Sequence, residues 1–158
     1  HGTPNARNGE GSLVPWDGDP TSLDTSTETL KDFYRRIAKI KAHQIVVALD
    51  TCFSGAGGRS IILAGTRPLI TVNTQENLIP SRVTLLAASG GNEISGVTQR
   101  QGHGLFTYYL LKGLDGHKRK TTTLCSYVKS HVSEEAALEN RDQHPVCTGP
   151  NTPVTKKM

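Results

Sequence analysis

The feature that most constrains this chain is Ile45-Val46-Val47-Ala48-Leu49, an apolar run bounded by Gln44 and Asp50. Five apolar residues without polar alternation suit a strand covered on both faces, the setting that a parallel sheet in an α/β domain provides. Arg82-Val83-Thr84-Leu85-Leu86-Ala87-Ala88 reads as a second buried strand, closed by the turn chemistry of Ser89-Gly90-Gly91-Asn92. Helical spacing surrounds these strands. Ser26 or Thr27 can cap a helix whose apolar positions are Leu30, Phe33, Tyr34, Ile37 and Ile40, ending near His43. A second helix runs from Gly104 to Leu114 and stops at Gly116, and a third runs from Thr122 or Thr123 through Val128, Val132 and Ala136 to about Glu139. Pro145 to Cys147 fits an edge strand, where proline is tolerated.

The remaining segments are loops. Gly2 to Asp24 is rich in Gly, Pro, Asn and Asp, and Pro4, Pro15 and Pro20 deny it any long regular element. Gly55 to Gly58 is a glycine-rich loop, and Ile61 to Pro80 carries no clear pattern. Alternating helix and buried strand, with no repeat, predicts an α/β fold with a largely parallel sheet. At 158 residues the chain is sized for one domain, placed at 1–150, with a polar tail at 151–158.

Composition excludes several function classes. The net charge is +4, concentrated in Lys118 to Lys120 and in Lys156 and Lys157, without the dense basic face and interleaved aromatics of a nucleic-acid binder. No apolar run approaches the roughly 20 residues that span a bilayer, and His1 to Asn8 lacks the apolar stretch of a signal peptide. Cys52, Cys125 and Cys147 form no CxxC pair and no zinc-ligand spacing, so reduced thiols in the cytoplasm are expected, with neither metal nor cofactor. Asp17, Asp19 and Asp24 have cation-binding chemistry but match plain solvated turn formers.

Chemistry concentrates at Cys52. It follows a buried strand and enters a glycine loop, at the carboxyl end of the strand where α/β sheets gather their sites. A lone cysteine is more often a small buried apolar residue. As a thiolate with a histidine within about 3 Å, it is instead a strong nucleophile whose base later protonates the leaving amine. Two histidines are followed by glycine, His1-Gly2 and His103-Gly104, and either can be that base. His103 also fits a first-turn role at the positive end of the helix that follows it.

His1-Gly2, then a loop, a helix, a buried strand and Asp50-Thr51-Cys52-Phe53-Ser54-Gly55, resembles the caspase-like peptidases, and within them the metacaspases and bacterial orthocaspases. Gly11-Ser12-Leu13-Val14-Pro15-Trp16-Asp17, Ala87-Ala88-Ser89-Gly90 and Gly102-His103-Gly104-Leu105-Phe106-Thr107-Tyr108-Tyr109-Leu110 extend the resemblance over roughly residues 1 to 147. His1 lies about 50 residues before Cys52, the caspase separation. The resemblance implies an α/β/α sandwich around a mostly parallel sheet, and a fragment that begins at the catalytic histidine and lacks the N-terminal part of the fold. It also implies that His1 is the base and Cys52 the nucleophile, with the N–H groups of Gly2 and Cys52 as oxyanion hole. Asp50 matches the acidic floor of a pocket for Arg or Lys, and Ser89 lines the same pocket.

The expected activity is therefore thiol-protease hydrolysis of protein or peptide substrates after Arg or Lys. The acidic pocket and the absence of Gln-Ala-Cys-x-Gly disfavour cleavage after aspartate. Arg59 stands where calcium-dependent metacaspases carry an Asp, which disfavours calcium dependence. Arg59, Arg67 and Arg82 offer self-processing sites. Two other readings compete. A catalytically silent caspase-like module would serve as an interaction scaffold beside further domains of a longer chain, and a cysteine hydrolase of another fold would use His103 or His144 as base.

Overall fold

A computed structural model describes residues 1–4, 10–19, 22–51, 79–90, 93, 95–96, 102–118 and 120–154. Cys52, Arg59, Arg67, the Gly55 to Gly58 loop and the unpatterned stretch from Ile61 lie outside the described residues. The fold is mixed α/β, built on two small sheets.

The expected long loop at the start contains short strands. β1 (Gly2–Pro4) pairs antiparallel with β2 (Gly11–Leu13), and β2 pairs with β3 (Glu28–Thr29) in the order β1-β2-β3. Three-residue strands fit between the prolines. Pro4 ends β1, where its missing N–H costs least. A helical turn, α1 (Leu23–Ser26), precedes β3.

α2 (Leu30–Ala38) is shorter at both ends than its apolar periodicity suggests. Ser26 and Thr27 do not cap it, because the Ser26 hydroxyl bonds Asp19 and the Thr27 hydroxyl donates to the Leu23 carbonyl at 2.7 Å. Thr29 is the cap: its Oγ1 accepts the Asp32 N–H at 3.1 Å and donates to Asp32 Oδ2 at 2.9 Å, a reciprocal pairing that satisfies an orphan helix donor. At the other end the Arg82 guanidinium donates to the carbonyls of Ala38, Ile40 and Ala42, ending the helix before Ile40, which is 49% exposed. Arg82 is thus held by three carbonyls, not free in a flexible loop as a self-processing site requires.

The second sheet has the order β4-β5-β6, from β4 (Ile45–Leu49), β5 (Val83–Ala87) and β6 (Val146–Thr148). β4 and β5 are parallel, with Leu49 opposite Ala87, and β6 is antiparallel, with Cys147 opposite Leu86. β5 is the strand buried on both faces. Val83 and Leu85 pack with Tyr34 and Ile37 of α2, while Leu86 packs with Leu105, Phe106, Leu124 and Val128 of α3 (Leu105–Asp115) and α4 (Thr121–Leu138). Among the described residues β4 is an edge strand covered on one face: Val47 is buried against α2 while Val46 on the opposite face is 37% exposed.

α3 begins at its cap Gly104 and ends at Gly116, as the sequence suggests. It meets α4 at Gly113, where a Cβ would come within 2.6 Å of Leu124 Cδ1, so glycine sets the helix separation. Residues 151–154, expected to begin a tail, instead serve α4. The Thr152 carbonyl accepts the Thr121 N–H at 2.9 Å, and Asn151 Oδ1 accepts the Thr122 hydroxyl at 3.0 Å. No helix among the described residues is long and apolar enough to cross a membrane.

Cys125 of α4 and Cys147 of β6 form a disulfide, which corrects the expectation of three reduced thiols. The two are 22 residues apart in sequence, and the fold brings their Cα atoms to 6.4 Å. Since disulfides persist in oxidising compartments, the argument from reduced thiols to the cytoplasm no longer holds.

Two phenols tie stability to alkaline pH. Burial raises the Tyr34 hydroxyl above its ordinary 10.0. Tyr109 is raised by desolvation and by donating to Glu135 Oε2 at 2.5 Å. A raised folded pKa means that the folded state holds its proton longer, so the stabilisation is complete below pH ~10 and is lost as pH rises above it. Urea midpoints should hold steady up to about pH 9.5 and then fall, and Tyr109→Phe should reduce the fall. An alkaline slope identical in Tyr109→Phe would contradict the assignment for that residue.

Candidate active site

Because β4 and β5 run parallel, Asp50, Thr51 and Ser89 emerge at the same edge of the sheet. The ladder extends one step past the strands, where the Ala88 N–H donates to the Leu49 carbonyl at 2.9 Å. Asp50 therefore follows β4 directly beside the chain leaving β5. Its Oδ2 accepts the hydroxyl of Thr107 at 2.5 Å and the Thr107 N–H at 3.3 Å. Thr107 is in the first turn of α3, so the carboxylate lies at the positive end of that helix. This fixes where the carboxylate sits: between the end of β4 and the start of α3.

Ser89 joins the same edge through side-chain bonds. Its Oγ lies 3.2 Å from Ser95 Oγ, and Ser95 Oγ donates to the Thr51 carbonyl at 3.3 Å. The loop after β5 is thereby linked to the residue that immediately precedes Cys52. Thr51 Oγ1 is itself buried without a hydrogen-bond partner. Neither Ser95 nor Thr107 stands out in the sequence. A hydroxyl in the first turn after Gly104 is the one local signal for Thr107, and Ser95 has none.

His1 and Gly2 open the first sheet. The Val14 N–H donates to the His1 carbonyl at 2.9 Å, which makes Gly2 opposite Leu13 a non-hydrogen-bonded pair. The ladder consequently leaves the Gly2 N–H unused, on the outer edge of β1. The His1 side belongs to a sheet that touches the rest of the fold through α2. Cys52, the expected nucleophile, lies outside the described residues.

The other histidines are accounted for differently. His103 is exposed, just before the α3 cap. His144 Nδ1 is 2.7 Å from Glu93 Oε1, and its N–H donates to Glu93 Oε2 at 2.6 Å. His131 is half-buried, with its ring 4.1 Å from the Tyr127 ring. Among the described residues no three His, Cys, Asp or Glu side chains converge as a metal site.

Known protein families and curated proteins were both compared with the chain, and none matches it.

Proposed function

We propose that the chain carries the nucleophile, the base and part of the specificity pocket of a caspase-like cysteine endopeptidase that cleaves after Arg or Lys. One observation carries the reading: Asp50 sits at the shared carboxyl edge of a parallel strand pair, two residues before Cys52, with Ser89 at the end of the neighbouring strand. That edge is where α/β sheets place chemistry. The disulfide adds a second support. Of the three cysteines in this sequence, Cys125 and Cys147 are bonded to each other, so Cys52 is the candidate nucleophile among them.

In this reading His1 takes the thiol proton and the Cys52 thiolate attacks the carbonyl carbon after the basic residue. Charge on the carbonyl oxygen is met by the backbone N–H groups of Gly2 and Cys52. The protonated His1 then gives its proton to the leaving amine. Water attacks the acyl-enzyme with His1 again as base, releasing the acid and the free thiol. Asp50 receives the guanidinium or ammonium of the substrate. A carboxylate already oriented by Thr107 loses little freedom on binding, which favours affinity. A cytoplasmic or an oxidising setting is compatible with this chemistry, and the disulfide favours the second.

Alkylation tests the reading. In the intact protein, an Arg-chloromethylketone should modify Cys52 at least about tenfold faster than its Asp counterpart, as opposite charge selects at a half-buried carboxylate. His1→Ala should slow both reagents, whereas His144→Ala should not. Modification of Cys52 with no preference for Arg removes the acidic pocket for basic residues. Loss of reactivity in His144→Ala, with His1→Ala unaffected, transfers the base to the Glu93-His144 pair and favours a hydrolase of another class.

A further inference from the structure

Gln143 lies outside every motif described above, yet its side chain is among the most deeply buried polar groups, at 1% exposed. A buried amide is tolerated only where both of its ends are bonded. Here Nε2 donates to the Ala88 carbonyl at 3.0 Å, and Oε1 accepts the Gly96 N–H at 2.9 Å and an Arg141 N–H at 3.3 Å. Ala88 and Gly96 flank the segment that holds Ser89 and Ser95. Its two bases are therefore pinned to one side chain, and Ser95 passes the constraint to the Thr51 carbonyl beside Cys52.

The backbone around Gln143 is arranged to deliver that side chain. α4 ends at Leu138, and Asn140 with φ 53 turns the chain back beneath the sheet edge. The Ser133 hydroxyl donates to the Gln143 carbonyl at 3.1 Å, anchoring the residue to α4. The Arg141 guanidinium lies against Gly96, where any Cβ would overlap it at 1.8 Å. Glu93 adds an outer tie through His144 and the Gly90 N–H.

We infer that Gln143 is a positioning residue for the substrate pocket: one buried amide clamps both ends of the Ser89-to-Ser95 loop and so holds the pocket wall against the strand that leads to Cys52. The inference rests on the peptidase reading given above. Arg or Lys binding uses the wall, whereas the thiol's intrinsic reactivity does not. Loosening the clamp should thus penalise a reagent that must occupy the pocket and spare one that needs only the thiol.

The experiment is the ratio of two alkylation rates at Cys52, Arg-chloromethylketone over iodoacetamide, in the intact protein. Gln143→Leu keeps the volume and leaves the Ala88 carbonyl and Gly96 N–H unpaired. Gln143→Glu, which keeps size and polarity but turns the donor facing Ala88 into an acceptor, serves where the leucine variant fails to fold. In both, the ratio should fall at least about fivefold, the scale of one lost buried hydrogen bond. A merely structural role would lower thermal stability and leave the ratio at the wild-type value. That outcome overturns the inference. If the chloromethylketone fails to modify wild-type Cys52, the peptidase reading has failed instead, and the two failures are distinguishable.

Discussion

Cys52→Ala in the intact protein is expected to abolish hydrolysis of an Arg-terminated amide substrate, with kcat/KM falling at least about a thousandfold. The methyl side chain removes the atom that forms the acyl-enzyme and leaves the Asp50 pocket and the oxyanion donors in place. Substrate should therefore still bind, with the loss falling in kcat, because residual catalysis from binding and the oxyanion site is small beside covalent catalysis. Cys125 and Cys147 cannot replace the missing thiol while bonded to each other. Turnover undiminished in Cys52→Ala would sink the peptidase reading and leave the silent caspase-like scaffold as the better account of the motifs.

Removing the disulfide should have the largest effect on stability. The bond closes a loop with its ends 22 residues apart, which the chain-entropy estimate values at about 3 kcal/mol. Against a typical total of roughly 5–15 kcal/mol, that is a substantial share. Cys125→Ser with Cys147→Ser should lower the urea midpoint accordingly, and dithiothreitol should lower the wild type to about the same value. The bond couples α4 to β6, and Gln143 lies on the chain between them. A midpoint that neither the double substitution nor the reductant moves would show that the α4 and β6 packing already supplies the constraint. Before reduction, thiol titration under denaturing conditions should return one equivalent, from Cys52.

Much of the fold was legible because its signals are local. The apolar runs at Ile45 to Leu49 and Val83 to Ala87 are strands, and Gly104 with Gly116 bounds α3. Pro145 to Cys147 leads into an edge strand. Errors came where a distant group decided a boundary. Arg82 stops α2 short of Ile40 from the turn before β5, and the hydroxyls of Ser26 and Thr27 turned to Asp19 and Leu23. The burial of β4 depends on distant groups in the same way. Composition shows that a strand can be covered on both faces, whereas neighbours determine whether it is.

By itself the sequence put forward candidates, namely His1 with Gly2, Asp50 with Cys52, and Ser89, because residue type, spacing and the resemblance to caspase-like peptidases point to a nucleophile, a base and an anion. Only the tertiary structure decided what holds them. Asp50 meets Thr107, Ser95 reaches back to Thr51, Gln143 spans Ala88 and Gly96, and Cys125 finds Cys147. The physical reason is common to all four. A side-chain hydrogen bond or disulfide between elements depends on how helices pack on a sheet, and that packing has no period along the chain to read.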